Sequence, residues 1–167
     1  MGLDLMMYNK REYMEYNGAE YDKITELAYG RKTWAIESYF AARSYPMTQE
    51  VYLFDVPKEA WDEFYTTAIN LGFEKFKIWV DVIYEYERIG AHMGENMDDE
   101  EDYQLEKIFM KAYTKVEEYM SHLFDGEANY QLDMAWEAKA VVNWVESYPK
   151  IKETYERGDG VIMVASF

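Results

Sequence analysis

The sequence predicts an α+β fold in one domain spanning residues 1–167, with short strands near both termini and between the early helices, packed against a helix-rich middle of about five helices. Two observations predict this class. Near the termini and between residues 20 and 55, apolar residues alternate or cluster in short runs, which is typical of strands. Between residues 55 and 158 they recur every three or four positions, which is typical of helices that bury one face. No stretch rich in Pro, Gly or Ser divides the chain, whose length suits one domain.

The first predicted element is a strand over residues 2–8, in which Leu3, Leu5 and Met7 lie on one side. Residues 9–20 are polar and contain glycine, so we expect a loop there. The alternation of the opening residues favours a half-buried strand whose apolar side faces a core.

A second strand and the first helix follow. Residues 23–29 predict a strand that ends at Gly30, although the pattern there is ambiguous between strand and helix. Residues 31–43 predict a helix with a plausible buried side, which stops at Tyr45-Pro46. Proline disfavours the helical conformation in the residue before it, so a helix end is expected at this point.

A third β-type run, residues 50–54, precedes the helical middle. Asp55 is expected near the N-cap of the next helix and Pro57 in its first turn, since both residues favour helix starts. That helix presents apolar residues at helical spacing up to Gly72, and glycine commonly closes a helix.

The rest of the chain predicts four more helices and a last strand. Breaks are expected at Gly90–Gly94, at Gly126 and at Gly158. The strand should pair with the one near the start of the sequence. The predicted helices and strand occupy residues 73–89, 98–124, 129–147, 149–158 and 161–167.

A net charge of −16, from 33 acidic and 17 basic residues, limits the partners of the protein. Such a field repels nucleic-acid phosphates and anionic membrane surfaces, so we expect neither to bind a broad face directly. It favours a basic protein partner, or serves solubility alone. The absence of cysteine excludes disulfides, thiolate zinc sites and cysteine nucleophiles.

The sequence contains none of the motifs that mark common active sites. There is no G-x-S-x-G turn, no phosphate-binding glycine loop and no H-E-x-x-H pair. His92 and His122 do not form a metal-binding pair, so we expect no catalytic residue, metal or cofactor, and no enzyme activity. Neither a signal peptide nor an apolar run of the ~18 residues that span a bilayer is visible, and we therefore expect a cytoplasmic protein.

The acidic residues concentrate in the middle of the chain. Residues 51–100 hold 12 acids and 4 bases, and residues 101–150 hold 10 and 5, so these hundred residues carry −13. Many acids are four positions apart, which places them on one helix face ~5–6 Å apart, close to the separation of neighbouring phosphates on a DNA strand. Such a face either binds a basic protein groove or is simply solvated, and acids also suit a helix N-terminus. The candidate partner-binding residues are Glu59, Asp62, Glu63, Asp98, Asp99, Glu101 and Asp102.

A smaller basic cluster offers an alternative site. Lys10-Arg11 and Arg31-Lys32 are the one place where an anionic ligand is expected to bind, with Tyr29 close to the second pair in sequence. Ordinary surface charges are the simpler interpretation of the same residues. The ligand-binding candidates are therefore Tyr29, Arg31 and Lys32.

Two segments carry a family resemblance. The sequence opens Met1-Gly2-Leu3-Asp4-Leu5-Met6, and residues 29–40 read Tyr-Gly-Arg-Lys-Thr-Trp-Ala-Ile-Glu-Ser-Tyr-Phe. Both resemble a group of small bacteriophage and prophage proteins that begin MGLDM and carry a Tyr-Trp-Arg-Lys-Ala-Asn-x-Ile-His-x-Trp-Phe stretch. In this chain Gly30, Trp34 and Glu37 replace the Trp, Asn and His of that stretch. The resemblance covers about the first 55 residues and implies a phage origin and an intracellular setting, without an activity.

Together these features lead to one functional hypothesis. We expect a phage-encoded, non-enzymatic inhibitor of a bacterial defence nuclease, of anti-CRISPR or anti-restriction type, whose acidic helices mimic nucleic acid. Its partner would be a basic nucleic-acid-binding host protein, such as a Cas effector or a restriction enzyme. The alternatives are a small-ligand sponge for a nucleotide signal and an accessory phage protein without a defence role.

Overall fold

The chain combines an antiparallel sheet of five strands with seven α-helices among the described residues, in agreement with the predicted α+β class. A computed structural model describes residues 3–17, 20–48, 52–93, 99–125 and 134–166. Side chains are described over residues 3–17, 20–48, 52–87, 100–125 and 135–166. The strands are β1 (Asp4–Asn9), β2 (Glu26–Arg31), β3 (Tyr45–Pro46), β4 (Leu53–Val56) and β5 (Val161–Ser166). The helices are α1 (Lys10–Glu15), α2 (Trp34–Arg43), α3 (Lys58–Asn70), α4 (Phe73–Met93), α5 (Asp99–Leu123), α6 (Met134–Glu146) and α7 (Tyr148–Glu156).

The sheet has the strand order β2-β1-β5-β4-β3, and all of its neighbouring strands are antiparallel. The expected pairing of the first and last strands is confirmed, with Leu5 opposite Ala165 and Met7 opposite Met163. Because side chains alternate along a strand, these residues face the main core while Tyr8 and Ile162 face the other side. One side of the sheet therefore carries helices α2 to α7, and the other holds a smaller apolar cluster against which Tyr13 of α1 packs.

Aromatic side chains fill the core between the sheet and the helices. The rings of Trp61 on α3 and Trp144 on α6 stack with centroids 5.4 Å apart. Phe40 of α2 contacts both, at 4.8 and 5.6 Å, and all three side chains are fully buried. Each such ring removes 150–250 Å² from water, so this trio joins three helices into one core.

The prediction of a loop over residues 9–20 is wrong, because Lys10–Glu15 forms helix α1. The side chain of Asn9 caps this helix by accepting a hydrogen bond from the Glu12 amide at 3.1 Å, and its Nδ2 donates to Asp159 at 3.0 Å. No residue of α1 is buried, so the helix shows no apolar periodicity in the sequence.

Two predicted helix starts are shifted in the structure. The helix expected from residue 31 begins at Trp34. Arg31 still pairs in β2, and the φ of 56° at Lys32 is incompatible with a right-handed helix. Asp55 does not cap α3 but lies in β4, where the Lys10 ammonium contacts its carboxylate at 2.6 Å. The N-cap position belongs to Pro57. Glu50 and Val51 of the predicted strand lie outside the described residues.

The helix ends predicted at Gly72 and Gly158 are confirmed. Gly72 and Gly158 follow α3 and α7 with φ values of +89° and +80°, a backbone that glycine adopts without steric penalty. The helix predicted to end at residue 89, before a break over Gly90–Gly94, in fact continues to Met93, and Gly94 lies outside the described residues. Gly126 and residues 129–133 lie outside the described part of the chain.

Candidate functional site

The candidate residue Asp62 is held by neighbours within the fold. Its carboxylate accepts hydrogen bonds from the Tyr148 hydroxyl at 2.6 Å and from the Lys58 ammonium at 3.0 Å. The bond from Tyr148, followed by the charge and hydrogen bond of Lys58, lowers the pKa of Asp62 below its usual value. The same bond raises the pKa of Tyr148 to about 12. Asp62 therefore links α3 to α7, and only part of its charge faces solvent.

The other two acids of α3 differ from each other. Glu63 forms an ion pair with Arg43 of α2, with 3.3 Å between Nε and the carboxylate. The Arg43 guanidinium also lies 3.7 Å from the ring centre of Tyr39, so this pair belongs to a contact between helices. Glu59 is exposed and makes no ion pair with another described residue. Of the three predicted residues, Glu59 is the one whose exposed carboxylate forms no ion pair within the described residues, although its charge helps to raise the pKa of the adjacent Lys58.

The acids at the start of α5 are exposed. Glu101 and Asp102 are solvent-exposed, and so is Glu106, which lies four positions after Asp102 and was not among the predicted residues. Four residues of helix rise place Asp102 and Glu106 about 6 Å apart along the axis. Asp99 is the first residue of the helix, and Asp98 lies outside the described residues.

These acids lie on a two-helix projection, which we call the acidic arm, formed by residues 84–93 of α4 and 99–109 of α5. Within its described side chains none is buried, whereas Ile83 and Ala112 just beyond it are. The stacked rings of Tyr86 and Phe109, 4.3 Å apart, hold its two helices together. The described side chains of the arm include six carboxylates and one lysine. The arm is therefore strongly acidic, and its half-buried Tyr84 and Phe109 pack it against the main core.

The structure does not bring the two predicted acidic groups together. The Tyr119 hydroxyl of α5 donates to the Ala68 carbonyl of α3 at 2.6 Å, which fixes where the two helices meet. Glu101 lies 18 residues before Tyr119, about 27 Å away along the helix axis. The acids of α3 belong to the body of the protein and those of α5 to the arm.

The predicted basic cluster is also divided. Arg31 pairs with Asp4 across the sheet, whereas Lys10 follows the other end of β1, about 20 Å away for six residues of strand. Lys10 contacts Asp55, and Arg11 lies 3.5 Å from the Asp159 carboxylate. The two halves of the cluster therefore do not form one site.

The second half of that cluster meets an aromatic residue that the sequence interpretation missed. Trp136 of α6 lies beside Arg31 and Lys32, with 5.8 and 5.9 Å between each cation and its ring centre. The Trp136 side chain is 43% exposed. Tyr29, two residues before Arg31 on β2, faces the same side of the strand and is also exposed. No sequence signal connects residues 31 and 136, which lie more than a hundred positions apart.

Comparisons with protein-family models, curated proteins and solved structures gave no match to this chain. Within the described ranges, no three His, Asp or Glu side chains gather in a way that could hold a metal ion. In that same part of the chain, each helix is too short or too polar to cross a bilayer. The two surface features with a distinctive composition are the acidic arm and the cluster around Trp136.

Proposed function

We propose that this chain is a phage-encoded, non-enzymatic inhibitor of a bacterial defence nuclease, of the anti-CRISPR or anti-restriction type. It binds one nuclease molecule in the host cytoplasm and occupies the basic channel that normally holds nucleic acid. The observation that carries the proposal is the acidic arm, whose exposed carboxylates extend beyond the packed body. The resemblance of the first 55 residues to phage proteins supports the same setting.

Helical spacing gives the arm its nucleic-acid-like character. Asp102 and Glu106 are exposed one turn apart on the same face of α5, with Glu101 next to Asp102, so the helix fixes the spacing at which these side chains leave the backbone. A basic channel attracts such a surface over long range and releases counterions when it binds. The affinity should therefore fall steeply as the salt concentration rises.

Phage plaquing tests this proposal in living bacteria. One strain carries a CRISPR effector directed at the phage, a second carries a restriction enzyme, and a third carries neither. Expression of this chain should restore plaquing in one of the first two strains and leave the third unchanged. The nuclease of the responding strain, once purified, should bind the chain in a complex that weakens with salt.

Charge reversal distinguishes the effect of the carboxylates on the arm from the effect of the net charge. Glu101→Lys, Asp102→Lys and Glu106→Lys together should abolish protection. A matched triple on exposed acids of the body, Glu15→Lys, Asp22→Lys and Glu74→Lys, changes the net charge equally and should keep it. Protection that survives in the arm variant, or is lost equally in both, contradicts the proposal. Circular dichroism checks that both variants are folded.

The cluster around Trp136 favours a second function, a sponge for an anionic nucleotide signal. Arg31 and Lys32 supply positive charge, while Trp136 and Tyr29 supply exposed rings on which a base could stack. Cyclic di-GMP and ATP should then raise the melting temperature of the protein, because a ligand that binds only the folded state stabilises it. Arg31→Ala should remove this rise, whereas the triple substitution in the arm should not.

A further inference from the structure

A groove near the base of the acidic arm combines apolar walls with basic side chains. It lies where the turn between α3 and α4 meets the end of α5, and its volume is about 590 Å³. Cavities of 300–1,000 Å³ are the usual size for small organic ligands. We call it the α4–α5 groove.

The floor of the groove is rigid. The rings of Phe76 and Tyr119 stack 3.9 Å apart, and both side chains are buried. The Tyr119 hydroxyl is fixed by its bond to the Ala68 carbonyl. At the turn, Gly72 has no atom within 4 Å of the place where a Cβ would lie, so space remains open above it. The groove thus exists in the folded chain before any ligand binds.

The walls of the groove are apolar and partly open to water. Ile78 is 61% exposed and Leu71 is 37% exposed, although both are aliphatic. Trp79 forms part of the same wall, and the Lys111 ammonium lies 5.6 Å from its ring centre. A ligand with an apolar body would bind favourably here, because it removes the apolar surface of these side chains from water.

The rim is basic in a chain that is strongly acidic. Lys75 and Lys115 come from the two facing helices, and His122 completes the rim with its Nδ1 2.6 Å from the Glu118 carbonyl oxygen. One carboxylate, Glu118, lines the groove, and it lies 3.8 Å from the Lys115 ammonium. This local excess of cations, in a chain of net charge −16, matches an anionic head group.

We propose that the α4–α5 groove binds an organic carboxylate with an apolar body. The body lies on Phe76 and Tyr119 between Ile78 and Trp79, and the carboxylate meets Lys75 and Lys115 at the rim. This site is separate from the acidic arm and from the Trp136 cluster, so it does not depend on the function proposed above.

Indole NMR resonances provide a readout with residue resolution. The chain has five tryptophans, and comparison with Trp79→Phe identifies the Trp79 signal. Titration with 1-naphthoate should shift the Trp79 indole resonance to saturation, because a bound aromatic ring changes the local field. The neutral analogue 1-naphthalenemethanol loses both ion pairs and should bind at least about fivefold more weakly, since each ion pair in water contributes ~1 kcal/mol at 4 Å.

Substitutions at the groove test the two halves of the recognition. Lys75→Gln and Lys115→Gln should each weaken naphthoate binding about fivefold, and Ile78→Asp should abolish it. The matched controls Lys150→Gln, Lys152→Gln and Ile108→Asp change exposed residues outside the groove and should keep the affinity.

Four results would overturn the proposal. They are the absence of a saturable shift at millimolar naphthoate, equal binding of the neutral analogue, a shift at Trp136 rather than Trp79, and unchanged affinity in both lysine variants. Because Lys75 and Ile78 are exposed, their substitutions should leave the fold intact, and the unchanged indole signals of the buried tryptophans will verify this.

Discussion

Substitution of Gly30 by alanine probes the contact between the sheet and α6. A Cβ at this position in β2 would lie 2.5 Å from Thr33 Cγ2, 3.1 Å from Ala140 Cβ and 3.3 Å from Trp144 Nε1. Thr33 is fully buried and β-branched, so its methyl group has little freedom to move away. Overpacking of this kind typically destabilises a protein by about 1–3 kcal/mol.

The measurement is urea unfolding followed by circular dichroism, with calorimetry for the melting temperature. At this chain length about 2–4 °C are lost per kcal/mol, so Gly30→Ala should lower the melting temperature by about 2–12 °C. Thr33→Ser removes the closest atom and keeps the hydroxyl. The double variant Gly30→Ala/Thr33→Ser should therefore be more stable, by at least ~0.5 kcal/mol, than the sum of the two single effects on the free energy of unfolding predicts.

Gly72→Ala is the matched control. Nothing lies within 4 Å of a Cβ at this position, so the alanine would not collide with any neighbour. Its strain would come only from the φ of +89°, which residues with a Cβ rarely adopt. A loss of about 1–2 kcal/mol is expected, and Thr33→Ser should not reduce it. The reasoning fails if Gly30→Ala is as stable as the parent chain, or if its effect and that of Thr33→Ser simply add.

Three further predictions concern stability. Tyr148→Phe removes the main cause of the lowered pKa of Asp62. The Asp62 carboxylate stabilises the fold above pH 3.8, and this contribution is lost as the pH falls through the lower pKa of the folded state. In acid titration the free energy of unfolding should therefore fall less in the variant than in the parent chain. Trp61→Phe should destabilise far less than the ~3–5 kcal/mol expected for Trp61→Ala in urea unfolding, because the buried Trp61 Nε1 has no hydrogen-bond partner among the described residues. Asn9→Ala removes both the cap of α1 and the bond to Asp159, and calorimetry should show a loss of about 1–3 kcal/mol.

Elements with strong periodicity were predictable from the sequence. The alternation of Leu3, Leu5 and Met7 identified β1 and its buried side, and the glycines after α3 and α7 marked where those helices end. Helix α1 was missed because none of its residues is fully buried, although Asn9 followed three residues later by Glu12 is a typical capping pattern. The two-residue strand β3 carries too few residues to show any period.

The candidate sites were less predictable, since they depend on contacts between distant parts of the chain. Spacing alone could place Glu59 and Glu63 on one face, but the ion pair between Glu63 and Arg43 depends on how α2 packs. The convergence of Lys75 and Lys115 depends likewise on the antiparallel packing of α4 and α5. Charge counts identify an acidic region, and only tertiary structure separates carboxylates that bind neighbours from those that face water.

The central place of β5 in the sheet affects how the protein is made. Residues 161–166 separate β1 from β4, yet the ribosome adds them about 150 residues after β1. At a translation rate of 5–20 residues per second, β5 is synthesised roughly 8–30 s after β1. During synthesis the apolar side chains of β1 therefore lack their neighbouring strand until residues 161–166 have emerged from the ribosome, and a chaperone that binds the nascent chain would protect them in that interval.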